Sequence, residues 1–226
     1  MRPLVRRLRD SRDAGVTLPE LLVTMMLLGL LSAIALALVT SVTRSFTDER
    51  AATDNTMVAS NGMNELTRVV RSGTALELPG VATQAPVFLD ARPMTAVLYV
   101  YIDADSAAPR PMKVQFTIDG QGRLRETRWL ATSTDAPWTF ATSAQPTRTV
   151  ATSVSTTAGA LFRYFDAEGH ELVVPGTGAL TAAQREEIAA VRISLTVQSS
   201  ASGRTEPVEL RNTVSLPNLG ISRIRP

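Results

Sequence analysis

From Leu21 to Thr43 the chain runs for 23 residues without a charged side chain, and nothing else in it constrains the fold as much. As an α-helix the run would reach about 34 Å at about 1.5 Å per residue, enough to cross a hydrocarbon core of about 30 Å. Before it stand Arg2, Arg6, Arg7, Arg9 and Arg12 against Asp10 and Asp13. Clustered arginine holds its end of a spanning helix in the cytoplasm, so the N-terminus is expected inside and the C-terminal domain outside. One carboxylate, Glu20, stands at the mouth of the run. An acid at the start of a spanning helix is expensive in lipid and is a functional candidate by default. Its plainer use is as a solvated acid in the headgroup region, favoured by the helix dipole.

A conventional secretory signal is cut after its apolar core, at an A-x-A-like sequence. Here the run ends in Val39-Thr40-Ser41-Val42-Thr43-Arg44, where no such site is obvious, and the small residue that invites cleavage, Gly15, lies before the core. A cut there discards the arginines and leaves the apolar helix as the new N-terminus.

The passage Gly15-Val16-Thr17-Leu18-Pro19-Glu20-Leu21-Leu22-Val23 resembles the prepilin-type cleavage and methylation motif of type IV pilins and type II secretion pseudopilins. The resemblance implies cleavage by prepilin peptidase between Gly15 and Val16, methylation of the new amine on Val16, and a mature chain whose fifth residue is Glu20. Val16 stands where phenylalanine is usual and Pro19 where isoleucine is common. A proline in the first helical turn removes only an N–H that has no helical partner.

The resemblance also implies a task for Glu20. When apolar helices bundle in a filament core, an unpaired carboxylate is costly, and the α-amine of a neighbouring subunit would offset that cost. At 4 Å and an effective dielectric of about 20 the attraction is about 4 kcal/mol before desolvation is subtracted. Such a pair fixes axial register more than it adds net stability. Leu21, Leu22, Met25, Leu28, Leu31 and Leu36 would provide the bulky packing in membrane or filament, and Gly29, with Ser32, Ala33, Ala35 and Ala37, the close approach between helices. Composition alone fits a plain anchor with incidental small residues equally well.

The formal charge of +2 and the basic pI of about 9.5 could suggest nucleic-acid binding. Without the leader's five arginines and two aspartates the 23 basic and 21 acidic side chains become 18 and 19. Nucleic acid therefore gets no global electrostatic support as a partner. There is no cysteine, so an exported domain must be stable from its core alone. His170 is the single histidine, which leaves no basis for a zinc site or a histidine triad; it reads as a turn residue. Asp103 and Asp105 have the spacing of some calcium ligands but lack the glycine and distal glutamate of an EF-hand. Tyr99, Tyr101, Trp129 and Trp138 could offer a stacking surface, with core packing the better use of the tyrosines. No phosphate loop, nucleotide fingerprint or catalytic constellation is present, so no catalytic residue, cofactor or metal is expected.

Beyond Arg44 the sequence keeps helical texture to Arg71: Ala59, Gly62, Met63, Leu66, Val69 and Val70 recur at three- and four-residue spacing. The periodicity predicts one helix from about Val16 to Arg71, stopped at Ser72-Gly73. Gly62 inside it costs about 1 kcal/mol relative to alanine. Strands are expected over Thr95 to Asp103, Met112 to Ile118, Arg123 to Leu130, Leu161 to Asp166, Glu171 to Val174, Ile188 to Val197 and Val208 to Leu216. Asp119-Gly120-Gln121-Gly122 and Ala167-Glu168-Gly169 provide turns, Thr181 to Glu187 a short helix, and Pro217-Asn218-Leu219-Gly220 the start of a tail. Residues 131–159 give a poor signal.

The fold expected is α+β, a long N-terminal helix packed on an antiparallel sheet. The divisions are a leader at 1–15, a transmembrane or filament-core segment at 16–43, an amphipathic segment at 44–72 and a β-rich domain at 73–226. Within the pilin family the order resembles J-type minor pseudopilins and related minor pilins, in which Arg163-Tyr164-Phe165 and Leu210-Arg211-Asn212 have counterparts. The resemblance implies a single-pass inner-membrane precursor that joins a cell-surface or periplasmic filament. Its partners would be prepilin peptidase, other major and minor pilins or pseudopilins and the inner-membrane assembly platform. Its role would be to prime assembly or cap the tip. The rival readings are a ligand-binding tip subunit, as adhesin or DNA-uptake receptor, and a membrane-anchored exported enzyme.

Overall fold

The computed structural model describes residues 15–81, 83–102, 109–175, 178–198 and 206–216. The leader to residue 14, Asp103, Asp105 and the tail from Pro217 lie outside the described residues. The chain divides into two compact units between Glu49 and Arg50.

Helix α1 spans Leu18–Arg71 and so begins two residues later than its periodicity suggests. The Thr17 carbonyl accepts the first intrahelical bond, from Leu21 N at 3.0 Å, which makes Thr17 the flanking residue at a position that hydroxyl side chains favour. Pro19 and Glu20 fall in the first turn, where the missing proline N–H breaks no helical bond. In the first unit every described residue is exposed. Three threonines of the uncharged run turn their hydroxyls back on the helix. Thr24 donates to Leu21 O at 2.9 Å, Thr40 to Ala37 O at 2.9 Å and Thr43 to Val39 O at 2.8 Å. Each hydroxyl proton thus has a partner within its own helix, which lowers its cost in an apolar medium.

In the second unit α1 is one-sided. Asn55, Ala59, Gly62, Met63, Leu66, Val69 and Val70 are buried, the spacing that puts one face of a helix against a core. A Cβ on Gly62 would come within 2.9 Å of Leu195 Cδ2 and 3.0 Å of Ala151 Cβ, so this glycine marks close contact and its propensity cost is structural. The helix stops where expected. Ser72 Oγ donates to Val69 O at 2.9 Å and Gly73 N to Val70 O at 3.0 Å, which satisfies carbonyls the helix leaves open.

The strands are β1 (Phe88–Ala91), β2 (Thr95–Val100), β3 (Met112–Ile118), β4 (Leu124–Leu130), β5 (Arg148–Ala151), β6 (Phe162–Phe165), β7 (Glu171–Leu172), β8 (Ala190–Val197) and β9 (Val208–Ser215), with a short helix α2 (Ala182–Glu186) before β8. All neighbouring strands pair antiparallel. The fold is therefore α+β, but the strands make two sheets rather than one: β1-β2-β3-β4-β5 and β7-β6-β8-β9. The break follows β5. Ser153 takes a left-handed φ of 56°, and Val154 then bridges Val197 while Ser155 N donates to Thr196 O at 2.9 Å. The chain thus leaves one sheet and reaches the edge of residues belonging to the other.

Both turns form. Asp119 Oδ1 accepts from the backbone N of Gln121 and of Arg123, each at 3.0 Å, and Gly122 takes a φ of 67° with the site of a Cβ 3.0 Å from Val154 O. Only glycine meets both demands. Thr181 and Gln184 form a reciprocal capping box on α2, and Leu180 and Ile188, flanking it, are both buried.

One core joins the buried face of α1 to inner faces of both sheets. Tyr164 lies fully buried in it, edge-on to Phe88 with ring centroids 5.6 Å apart, and its hydroxyl donates to Arg92 O at 3.0 Å. Burial raises its pKa well above the usual phenol range, with the nearby Asp90 adding to the shift. The Arg163-Tyr164-Phe165 segment thus ties the second sheet to the first. Asn212, from the Leu210-Arg211-Asn212 segment, donates Nδ2–H to Thr67 Oγ1 at 2.9 Å and ties β9 to α1.

Candidate functional site

The residues singled out for processing lie together at the start of α1. Gly15 and Val16 precede the first turn outside any helix or strand, and Val16 is 65% exposed. Among the described residues nothing lies within 4 Å of where a Gly15 Cβ would sit. Glu20 follows in the first turn, exposed and with its carboxylate in the favourable field of the helix N-terminus.

Leu21, Leu22, Met25, Leu28, Leu31 and Leu36 are all exposed. Gly29 likewise has open space where a side chain would be. Gly29, Ala33, Ala37 and Ser41 follow one another at four-residue intervals, which aligns them as a ridge of small residues along one side of the helix. Fourteen large apolar side chains left bare between Leu21 and Val42 would be a severe liability in water. The stretch is long and apolar enough to cross a membrane.

Residues 10–36 match the model of the prokaryotic N-terminal methylation motif. That match decides how the segment is read. It spans Gly15, Val16, Glu20 and the apolar run as far as Leu36, and it supports a pilin-type precursor processed by prepilin peptidase. No curated protein matches the chain. The methylation motif and the exposed apolar helix together mark a membrane-anchored precursor.

The other candidates resolve into structural roles. Tyr99 is buried and stacked on Phe140 with centroids 5.1 Å apart, and burial raises its pKa. Tyr101 meets Trp138 edge-on at 6.3 Å. Both pairs belong to a small satellite core under the segment around Leu76 and Ala85. Trp129 carries Lys113 Nζ 4.3 Å above its ring, a cation–π contact across the β3–β4 pair. His170 caps its turn: its backbone N donates to Asp166 Oδ1 at 2.7 Å and its Nδ1 lies 3.2 Å from Oδ2. Some burial raises the Asp166 pKa, but these hydrogen bonds outweigh it and hold the carboxyl below its ordinary range.

Periodicity gave no sign of the ionic cluster where α1 meets the first sheet. Glu126 is buried at 1% exposure in β4, and Arg148 of β5 lies directly opposite it in the ladder. Arg128 Nε donates to Glu126 at 2.6 Å and its Nη2 to Glu65 of α1 at 3.1 Å. Arg148 pairs with both carboxylates, and Arg68 contacts Glu65 at 2.7 Å. Burial pushes the Glu65 pKa up, but the hydrogen bond from Arg68 and the charges of Arg148, Arg68 and Arg128 outweigh it, so the carboxyl stays below its ordinary value of 4.5. Each acid is multiply paired, and breaking such a buried set by removing one member is far costlier than its net worth.

Proposed function

We propose that this chain is a minor pilin or minor pseudopilin, cut between Gly15 and Val16, methylated on the Val16 amine and assembled into a type IV pilus or a type II secretion pseudopilus. The observation that carries this reading is the methylation-motif match over residues 10–36, set on a helix whose described residues from 18 to 50 are all exposed. Proteins built on this motif are generally structural subunits rather than enzymes.

The precursor sits in the inner membrane with its arginine-rich leader in the cytoplasm and its β-domain outside. After cleavage, Val16 and Thr17 are all that precedes the helix, so the new amine and Glu20 stay within one short reach of each other. In the filament Glu20 pairs with the amine of a neighbour and sets axial register, while the small ridge from Gly29 to Ser41 admits a neighbouring helix at close range. The β-domain contacts other minor subunits, and the whole primes assembly or caps the tip. Residues 16–43 form the membrane or filament-core segment, 44–72 the amphipathic segment and 73–226 the domain.

Intact mass from cells with an active prepilin peptidase tests the first step. Loss of residues 1–15, with or without the mass of one methyl group, is the expected result, and an uncleaved chain overturns the reading. Glu20→Ala should be cleaved normally yet enter filaments poorly. Normal incorporation in sheared-filament fractions would rule out the register role.

A further inference from the structure

The outer face of the second sheet carries three arginines on three adjacent strands. Arg163 of β6 stands directly opposite Arg192 of β8, and Arg211 of β9 stands opposite Ser194, two residues along β8 on the same face. Like charges directly opposite one another in a sheet are destabilising. Here the arrangement surrounds a shallow cavity of about 140 Å³, which these arginines line together with Ser194, Gly159 and one acid, Glu209. The inner face of the same strands holds Phe162, Tyr164, Val191 and Ile193, all buried, so strand alternation obliges these arginines to face outward.

Their existing partners differ in strength. Arg211 Nε contacts Glu209 at 2.6 Å, with both side chains well exposed. Arg163 reaches Glu171 only at 3.7 Å, again between exposed groups. Exposed pairs of this kind contribute little and exchange readily. Among the described residues Arg192 forms no ion pair. It donates Nε–H to Thr213 Oγ1 at 3.4 Å and lies with Cζ 4.6 Å from the centre of the Phe165 ring. Those two contacts fix the plane of its guanidinium without neutralising it. Counted over the five charged groups, three cations face two carboxylates, which leaves one net positive charge at a cavity sized for a small polyatomic ion. The small residues Ala158, Gly159 and Ala160 leave its rim open.

We propose that this cavity binds an oxyanion of the phosphate class, with Arg192 as its principal ligand, Arg163 and Arg211 swinging in from their labile pairs, and the Ser194 hydroxyl as a neutral donor. A planar guanidinium matches phosphate oxygens with two parallel hydrogen bonds. The site lies in the β-domain and stands independently of processing or assembly at the N-terminus. The phosphate group could belong to a free ion or to the backbone of a nucleic-acid strand, and the experiment separates these.

The test is titration of the detergent-solubilised full chain at constant ionic strength, first with inorganic phosphate and then with a short single-stranded oligonucleotide lacking terminal phosphates. Binding is read by calorimetry and by the arginine Nε resonances. Saturable phosphate binding with a Kd of about 1 mM or below is expected. Arg192→Gln should weaken it roughly tenfold or more and Arg192→Lys by less, since lysine keeps the charge but loses the fork. Arg110→Gln, an exposed arginine outside the cavity, should leave it unchanged. Glu209→Gln, which frees Arg211, should tighten it. Arg192-dependent binding of phosphate alone assigns a free anion. Arg192-dependent binding of the oligonucleotide, with or without phosphate, assigns a phosphodiester strand. Absence of binding to both probes, or equal binding by Arg192→Gln with unchanged near-ultraviolet circular dichroism, overturns the proposal.

Discussion

Helix α1 contains two stretches with the same backbone and opposite relations to their surroundings. From Leu18 to Glu49 no residue is covered, although most are apolar; from Arg50 to Arg71 seven are buried, and they recur at three- and four-residue steps. The first stretch is apolar on all sides and needs an external apolar medium or partner. The second carries its apolar residues on one face and finds its partner within its own domain. The comparison teaches that hydrophobic residues along one helix can serve different free energies: in one stretch they set location and assembly, in the other folding stability. Substitutions should separate the two.

The largest effect is expected from Leu66→Ala, at a position with no exposure. It should lower unfolding stability of the β-domain by about 2–5 kcal/mol, the range for a buried leucine that leaves a cavity. Urea unfolding of the detergent-solubilised chain, followed by the fluorescence of Trp129 and Trp138, measures it. Next comes Gly62→Ala. In an exposed helix this change would stabilise by about 1 kcal/mol. Here the added methyl meets Leu195 and Ala151 at 3.0 Å or less, so the same assay should show a loss of about 1–3 kcal/mol from overpacking.

A smaller effect is expected from acid. The Glu65 pKa is depressed below 4.5 in the folded state, so its contribution is fully present above that value and disappears as pH falls through the folded one. Thermal unfolding from pH 6 to pH 3 should show a drop that Glu65→Gln flattens. The smallest effect belongs to Leu28→Ala, which leaves a side chain that is 65% exposed. It should move domain stability by less than about 0.5 kcal/mol while reducing membrane retention or filament yield. A large drop in domain stability from Leu28→Ala would collapse the distinction between the two stretches.

What the sequence makes legible follows the range over which its signals act. The motif passage from Gly15 to Val23 is nine consecutive residues, and the helix is a periodicity, so both can be read locally. β3 and β8 show inward apolar residues alternating with outward polar ones, and their bounds lie within two residues of expectation. β1 escapes notice because a register shift between Phe88 and Asp90 interrupts its alternation. β5 is four residues long and sits at a sheet edge, with burial confined to its end. The division into two sheets depends on which strands pair, and β6 finds β8 across an intervening strand and helix. The ionic cluster is less legible still: Glu65 and Arg148 are 83 positions apart. Arg163, Arg192 and Arg211 each look like ordinary outward residues until the ladder sets them side by side.

The hydroxyls of Thr24, Thr40 and Thr43 close onto carbonyls of their own helix, and this has a mechanical consequence. An apolar helix that passes from a bilayer into a bundle of helices, or back, exchanges one apolar host for another. These threonines need not trade a hydrogen bond at either crossing. These three side chains therefore add no polar cost to such an exchange, whereas the charge of Glu20 at the mouth of the run would.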